Sequence, residues 1–335
     1  MIRALALTGG ATVPSARFRV RQFLGRLERW GVALEERASR VGSYPPVATW
    51  QRPGWLAATL LDRVPDVAAT HRADVTVLQR ELVSTLVTLE GLTKRPRVLD
   101  VDDALWALPR GGFAARLARR CDRVIAGNAF LAEWFGRHCR DVMIVPTAVD
   151  TARFVPAGRP PSASVVIGWS GASGGLPYVE ALAPALAAVM ARRPEVRLCV
   201  LSDRAPRLEG LPPERVEYVR WRPEVEVPTI QGFDLGLMPL RDSTWERGKC
   251  SYKMLLYMAC GVPALVSPVG MNVEVLAHGE VGTGVPDGAW AEAILEWVDD
   301  SARRGRASGV ARRVVEEHFA LEALAPRLAA AIAGR

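Results

Sequence analysis

The sequence predicts an α/β protein of two domains, each built on a parallel sheet, the two facing each other across a cleft. Three observations carry this reading. The chain has 335 residues, 49% of them apolar, which is enough to fill two cores. Short apolar runs alternate with amphipathic stretches, the pattern of strand and crossover helix. The alternation halts once, at residues 155–163, where three prolines and Gly158 read as a hinge, and then restarts. The first domain is expected over 1–155 and the second over 156–318, with 319–335 a final helix that returns to the first domain.

In the first half, residues 2–7 form a strand, followed by Gly9, Gly10 and a loop to Ser15. A helix is expected from there to Gly31, with Phe18, Phe23, Leu24 and Leu27 on one side. Residues 32–34 begin a second strand, and 43–54, with three prolines, read as a loop. Strands at 75–78 and 98–101 flank an expected helix at 82–92. Residues 122–127 form a fifth strand, and Asn128 is a good N-cap for a helix over 129–138. Residues 142–145 close the half.

In the second half, strands are expected at 165–169, 197–201, 217–219, 234–240 and 264–267. Helices are expected at 178–192, 273–277, 289–298, 302–317 and 321–332. A further helix runs through Met254, Leu255, Met258 and Ala259, capped by Ser251 and stopped by Gly261 and Pro263.

The net charge of +7 is uneven. Residues 1–150 hold 22 basic and 15 acidic side chains, 22 − 15 = +7, whereas 151–335 hold 21 of each. The excess suggests an acidic partner for the first half: a phosphorylated acceptor, an anionic membrane surface or nucleic acid. For any single arginine a solvated helix face is the plainer explanation, but not for the imbalance as a whole. No basic–aromatic interleaving favours nucleic acid. No apolar run has membrane-spanning length and the start lacks a signal-peptide pattern, so a cytoplasmic protein is expected. The five cysteines have neither metal nor disulfide spacing and suit reduced, buried thiols. The four histidines belong to no ligand set or triad.

Only three lysines occur, Lys94, Lys249 and Lys253, and two of them stand four residues apart. Lysine is a compact point charge where arginine is a planar fork, so this segment suits a phosphate oxygen in a tight space; a surface loop with incidental lysines is the alternative. Loops that leave parallel strands and open into helices are where anions bind. Residues 170–175, S-G-A-S-G-G, are a second candidate cradle, with Ser170 and Gly171 at its start; they form neither a Walker loop nor a dinucleotide fingerprint. Asp100, Asp102 and Asp103 stand in D-V-D-D. With no second acidic cluster, an acid at a strand end capping the next turn fits better than a metal site.

The run K-M-L-L-Y-M-A-C-G-V-P-A-L-V-S-P-V-G-M-N-V-E, beginning at Lys253, resembles the donor-binding segment of retaining, nucleotide-sugar-dependent glycosyltransferases of the GT-B fold. Within them it is similar to family four and a bacterial branch with a G-K-C-x-x-K pattern. The likeness is specific over 234–274, with support at 15–20, 100–106 and 146–154. It implies that Lys253 and Lys249 face the donor diphosphate. It also implies that Gly270, Met271 and Asn272 offer amides beside Glu274, and that Trp221 and Arg222 lie where the base is held. Gly10 would abut the cleft on the donor side. Arg17, Arg21, Asp103 and Asn128 would lie toward the acceptor. The chain departs from the family at its paired glutamates, whose positions here are Gly248 and Leu256, with Glu246 displaced by two.

The resemblance thus implies glycosyl transfer to a hydroxyl with retention, without cofactor or metal, the departing phosphate taking the acceptor proton. A nucleotide-sugar epimerase of the same fold would need an acid/base pair, for which Asp103 and Glu246 are the visible nominees. A non-enzymatic binder of nucleic acid or anionic surfaces would use the basic first half and be indifferent to Lys253.

Overall fold

A computed structural model describes residues 1–158 and 163–335, so residues 159–162 of the expected hinge lie outside the described residues. The chain divides into two compact units. One comprises Met1–Ala148, Arg247–Cys250 and Leu321–Arg335; the other comprises Val149–Glu246 and Ser251–Ala320.

The first unit is a six-stranded parallel sheet of β1 (Ile2–Thr8), β2 (Val32–Ala38), β3 (Val75–Gln79), β4 (Arg97–Val101), β5 (Arg123–Ala126) and β6 (Val142–Ile144). Its helices are α1 (Arg52–Thr70), α2 (Gly112–Ala118) and α3 (Ala129–Gly136). The strand order β2-β1-β3-β4-β5-β6 reverses at β1, which pairs with β2 on one side and β3 on the other. The carboxyl ends of β1 and β3 therefore flank a switch point, where open α/β sheets bind ligands. One face of this sheet is covered by the chain's final helix, whose Leu321, Leu324 and Leu328 pack with Ala4, Val32, Val77 and Ile125.

Three parts of this unit differ from the sequence expectation. No regular α-helix runs to Gly31. A π-turn at Ala16–Val20 and 3-10 turns at Arg21–Phe23 and Leu27–Trp30 replace it, because Leu24 leaves the helical region at ψ 132° and Gly25 takes φ +72°. Residues 82–89 are not helical either, and only a 3-10 turn at Glu90–Leu92 follows. The buried Glu90 carboxylate accepts from the amides of Leu82 and Thr88, and the Glu81 carboxylate accepts from Thr85. Side chains thus take the amide hydrogens a helix would direct at carbonyls, and Thr85 sits at φ +62°. Inside the expected 43–54 loop, α1 begins at Arg52 with Pro53 in its first turn, where a missing amide hydrogen costs nothing.

The second unit repeats the plan with β7 (Val165–Ser170), β8 (Val196–Ser202), β9 (Val216–Arg220), β10 (Leu235–Met238), β11 (Ala264–Val266) and β12 (Gly282–Gly284) in the order β12-β11-β10-β7-β8-β9. All these pairings are parallel. Its helices are α4 (Leu176–Glu180), α5 (Ala183–Arg192), α6 (Pro223–Gln231), α7 (Thr244–Arg247), α8 (Tyr252–Ala259), α9 (Met271–Leu276), α10 (Trp290–Asp299) and α11 (Ser301–His318). The final helix α12 (Leu321–Ala333) belongs to the first unit. The single helix expected at 178–192 is two, bent by 55°. Pro184 has no amide hydrogen for the Glu180 carbonyl, so the helix breaks there.

The switch point of the second sheet lies between β7 and β10, and both loops leaving it carry the segments singled out above. All five cysteines are free and buried. Among the described residues no single helix is long and apolar enough to cross a membrane.

Candidate functional site

At the end of β7 the chain enters the glycine loop. The Ser170 amide donates to the Tyr257 hydroxyl at 2.8 Å, which in turn donates to the Leu237 carbonyl at 3.3 Å, and the Gly171 amide donates to the Leu201 carbonyl at 3.0 Å. Tyr257 is fully buried. Its ring fits only because residue 236 is glycine: a Cβ there would come within 2.6 Å of the Tyr257 Cγ.

Lys253, in the first turn of α8, crosses this loop. Its ammonium lies 5.6 Å from the centroid of the buried Trp169 ring, a cation–π distance. A Cβ at Gly171 would overlap the Lys253 Cε and come 2.8 Å from Trp169 Cη2, and one at Gly175 would come 4.0 Å from Lys253 Nζ. Gly171 thus clears the space in which the lysine lies, and Gly175 leaves room for the Trp169 ring, whose Cζ2 a Cβ there would meet at 3.1 Å. The result is a cation set against an aromatic ring beside a strand-end glycine loop, at the sheet's switch point.

Around this centre the loops are fixed by side chains. Glu246 is buried and accepts hydrogen bonds from the hydroxyls of Tyr178 and Ser243 on its two oxygens. Burial and the Glu246 carboxylate push the Tyr178 hydroxyl up to about 12, so it remains a donor at neutral pH. Ser251 occupies the N-cap position of α8 in the left-handed region, φ +50°, and does not cap the helix. Its hydroxyl instead donates to Asn272 Oδ1 at 2.7 Å, while Asn272 Nδ2 donates to the Ser267 carbonyl at 2.9 Å.

The Asn272 amide is engaged by the Val269 carbonyl at 3.2 Å. Of the three expected amides, those of Gly270 and Met271 head α9, and Gly270 turns the chain there at φ +55°. Glu274 follows, exposed. At the far end of the sheet, Trp221 Nε1 donates to Glu226 and Arg222 stands exposed at the start of α6. A cavity of about 510 Å³ opens at the ends of β10 and β11, with Tyr178, Arg241, Ser267, Asp287 and Trp290 in its walls.

The first unit holds the remaining expected residues. Gly10, at φ +146°, turns the chain after β1, and its carbonyl and that of Ala11 accept from Arg21. Arg21 also grips Glu36 with two hydrogen bonds, at 2.8 and 2.7 Å, which orients it toward the fold rather than outward. The Arg17 guanidinium lies 4.8 Å from the Phe18 ring centroid. Between these two, Arg19 is buried on Asp100 at 2.6 Å and also donates to the Val145 carbonyl. Asp100 thus closes a buried ion pair rather than capping the turn after its strand.

Asp103 pairs with Arg80 at 3.1 Å. Burial and the neighbouring Asp102 push its carboxyl up to about 6, against the pull of Arg80 and Lys249.

Asn128 does what its sequence position implies, capping α3 by accepting from the Leu131 amide at 2.8 Å. Its Nδ2 also donates to the carbonyls of Gly248 at 3.2 Å and Lys249 at 3.0 Å. The Arg247–Cys250 segment therefore lies with the first unit, carrying Lys249 with it, whereas Lys253 belongs to the second. The geometry also accounts for the family departure at 248: a Cβ there would meet the Ala104 nitrogen at 2.6 Å, so no glutamate fits.

Sequence reasoning did not single out Arg19, Arg80, Tyr178 or Tyr257 for the roles they play. Arg80 takes φ +64° at the end of β3, a conformation no arginine advertises. Among the described residues no group of histidine, cysteine, aspartate and glutamate could hold a metal ion.

Residues 167–300 match the family model described as glycosyl transferases group 1. The fold is that of solved GT-B glycosyltransferase structures. Sucrose-phosphate synthase from Thermosynechococcus elongatus is 16% identical over 97% of each chain, with a TM-score of 0.75. Anabaena Alr3699/HepE, solved with UDP and glucose, is 16% identical over 100% of each chain, at 0.73. WaaG, a glycosyltransferase involved in lipopolysaccharide biosynthesis, is likewise 16% identical over 100% of each chain, at 0.69. No curated protein matches. Apart from Arg247–Cys250, the family match falls within the second unit, and the likeness to these solved structures is one of fold.

Proposed function

We propose that this chain, whose residues 167–300 carry the group 1 glycosyltransferase match, moves a sugar from a nucleotide-diphosphate donor to a hydroxyl acceptor with retention at the anomeric carbon. The observation that carries the proposal is Lys253 lying across Gly171 and Gly175 against Trp169. As the bond from the anomeric carbon to the diphosphate breaks, negative charge grows on the leaving oxygens. A cation already in place stabilises that charge without reorganising. The acceptor oxygen bonds to the same face of the anomeric carbon, and its proton passes to the departing phosphate. The proposal uses no metal.

Within this reading, Gly270, Met271 and Glu274 serve the donor sugar and Trp221 and Arg222 the base. The acceptor is assigned to the first unit, where Asp103 and Asn128 follow β4 and β5 and Asn128 holds the segment that carries Lys249. Glu246 holds its loop through Tyr178 and Ser243.

The test is thermal shift with UDP, GDP, ADP and their sugars, without added metal, on wild type and Lys253→Ala. One base's diphosphate should stabilise the wild type and not the variant, and turnover should fall about a hundredfold or more. Equal stabilisation of both proteins, or of neither, overturns the donor site. Because HepE was solved with UDP, UDP is the first probe. The anomeric configuration of the product, read by NMR, decides retention.

A further inference from the structure

Helix α1 of the first unit is amphipathic with its apolar stripe turned to solvent. Leu61 is 72% exposed and Val64 55%, with Ala57 and Ala68 exposed on the same line. At 100° per residue, positions 57, 61, 64 and 68 fall within an arc of about 60°, and they run about 16 Å along the axis. The segment leading into the helix adds Val47, 96% exposed, and Trp50, 79% exposed. Large apolar side chains this bare, gathered on one face, mark an interaction surface.

The charges around the stripe say what kind of partner fits. Between residues 40 and 72 the only acids are Asp62 and Asp66. Both are withdrawn: Asp62, with its side chain 7% exposed, is bound by Arg40 at 2.6 Å, and Asp66, 6% exposed, is bound by Arg63. With Arg40 committed to Asp62, the charges left at the surface, Arg52 and Arg72, are both positive. An apolar stripe with a tryptophan at one end and only cations around it matches a helix lying in the plane of a membrane interface.

We infer that this face docks on an anionic lipid bilayer. The apolar stripe enters the headgroup–acyl boundary, and Arg52 and Arg72 meet lipid phosphates. The inference concerns the first unit alone and does not depend on the chemistry proposed for the second.

The full chain is sedimented with vesicles of phosphatidylcholine alone and with vesicles containing phosphatidylglycerol. It should pellet with the anionic vesicles only, and less so as salt rises. Leu61→Glu with Val64→Glu should weaken that binding about a hundredfold with an unchanged melting temperature. Arg52→Glu with Arg72→Glu, which spares the apolar stripe, should abolish the preference for anionic lipid; it decides the matter if the first variant does not fold. Absence of pelleting, equal pelleting with both vesicles, or undiminished binding of these variants overturns the inference. So does a wild-type dimer that Leu61→Glu with Val64→Glu converts to monomer, since the face would then belong to a second copy.

Discussion

Lys253 and Gly171 occupy their places only together: a methyl group at 171 would overlap the lysine's Cε and press on Trp169 Cη2 at 2.8 Å. In Gly171→Ala the lysine stem can swing away but the buried Trp169 ring must also shift, so the variant should fold with reduced stability and a displaced ammonium. A displacement of about 1 Å at a reacting centre can cost a hundredfold. The expected outcome is a loss of that order in turnover together with a lowered melting temperature. Full activity in Gly171→Ala would mean the lysine's position is immaterial.

Tyr257 positions the same loop from beneath. Removing its hydroxyl in Tyr257→Phe strands the Ser170 amide in a buried site, at a cost of about 1–3 kcal/mol, measurable by urea denaturation. Hydrogen exchange at Ser170 and Gly171 should accelerate beyond the global change.

The ion pair of Arg19 and Asp100, each side chain 3% exposed, should prove unequal to mutation. Arg19→Met leaves a buried carboxylate without its counter-ion and should cost about 3–5 kcal/mol. Replacing both partners by apolar residues should cost less than the single change, and the double-mutant cycle reads the difference.

Asp103 titrates near 6 because burial and Asp102 outweigh Arg80 and Lys249. Its folded value lies above the unfolded one, so between about pH 4 and pH 6 the native state holds the extra proton. Stability should then fall as pH rises through that window, by at most about 3 kcal/mol from this group. Asp103→Asn should flatten that part of the profile, and an unchanged slope would show that other carboxylates govern it.

Asn128 separates two roles in one side chain. Asn128→Asp keeps the acceptor that caps α3 but replaces the donor facing the Gly248 and Lys249 carbonyls with an oxygen. The helix should persist while the Arg247–Cys250 segment loosens, at about 1–3 kcal/mol. Faster thiol labelling of Cys250, now 7% exposed, would report it.

The sheets were legible because period and punctuation agree there. Runs such as Val75–Gln79, buried throughout and followed by polar turns, permit little else. The Asn128 cap could be read for the same reason, since cap and helix adjoin in sequence. Residues 82–92 could not, because the interaction that unwinds them, Glu90 with the Leu82 amide, overrides a helical apolar pattern through one buried carboxylate. Ser251 misled in the same way: its hydroxyl has a partner at Asn272, 21 residues away, and no local pattern reveals that. Lys253 stood out by its rarity in an arginine-rich chain. Its support, Trp169 and two glycines some eighty residues earlier, became apparent only with the fold.

The placement of α12 bears on how the protein is made. Leu321, Leu324 and Leu328 belong to the same apolar core as Ala4, Val32 and Ile125, so the earliest strands to leave the ribosome await side chains translated after the whole of residues 149–320. At elongation rates of about 5–20 residues per second that interval is roughly ten to thirty seconds. During it the half-built sheet exposes an uncovered hydrophobic face, while the intervening unit has all its strands in hand. The nascent first unit is therefore the natural client for a chaperone, and the second unit, though later in sequence, can finish folding first.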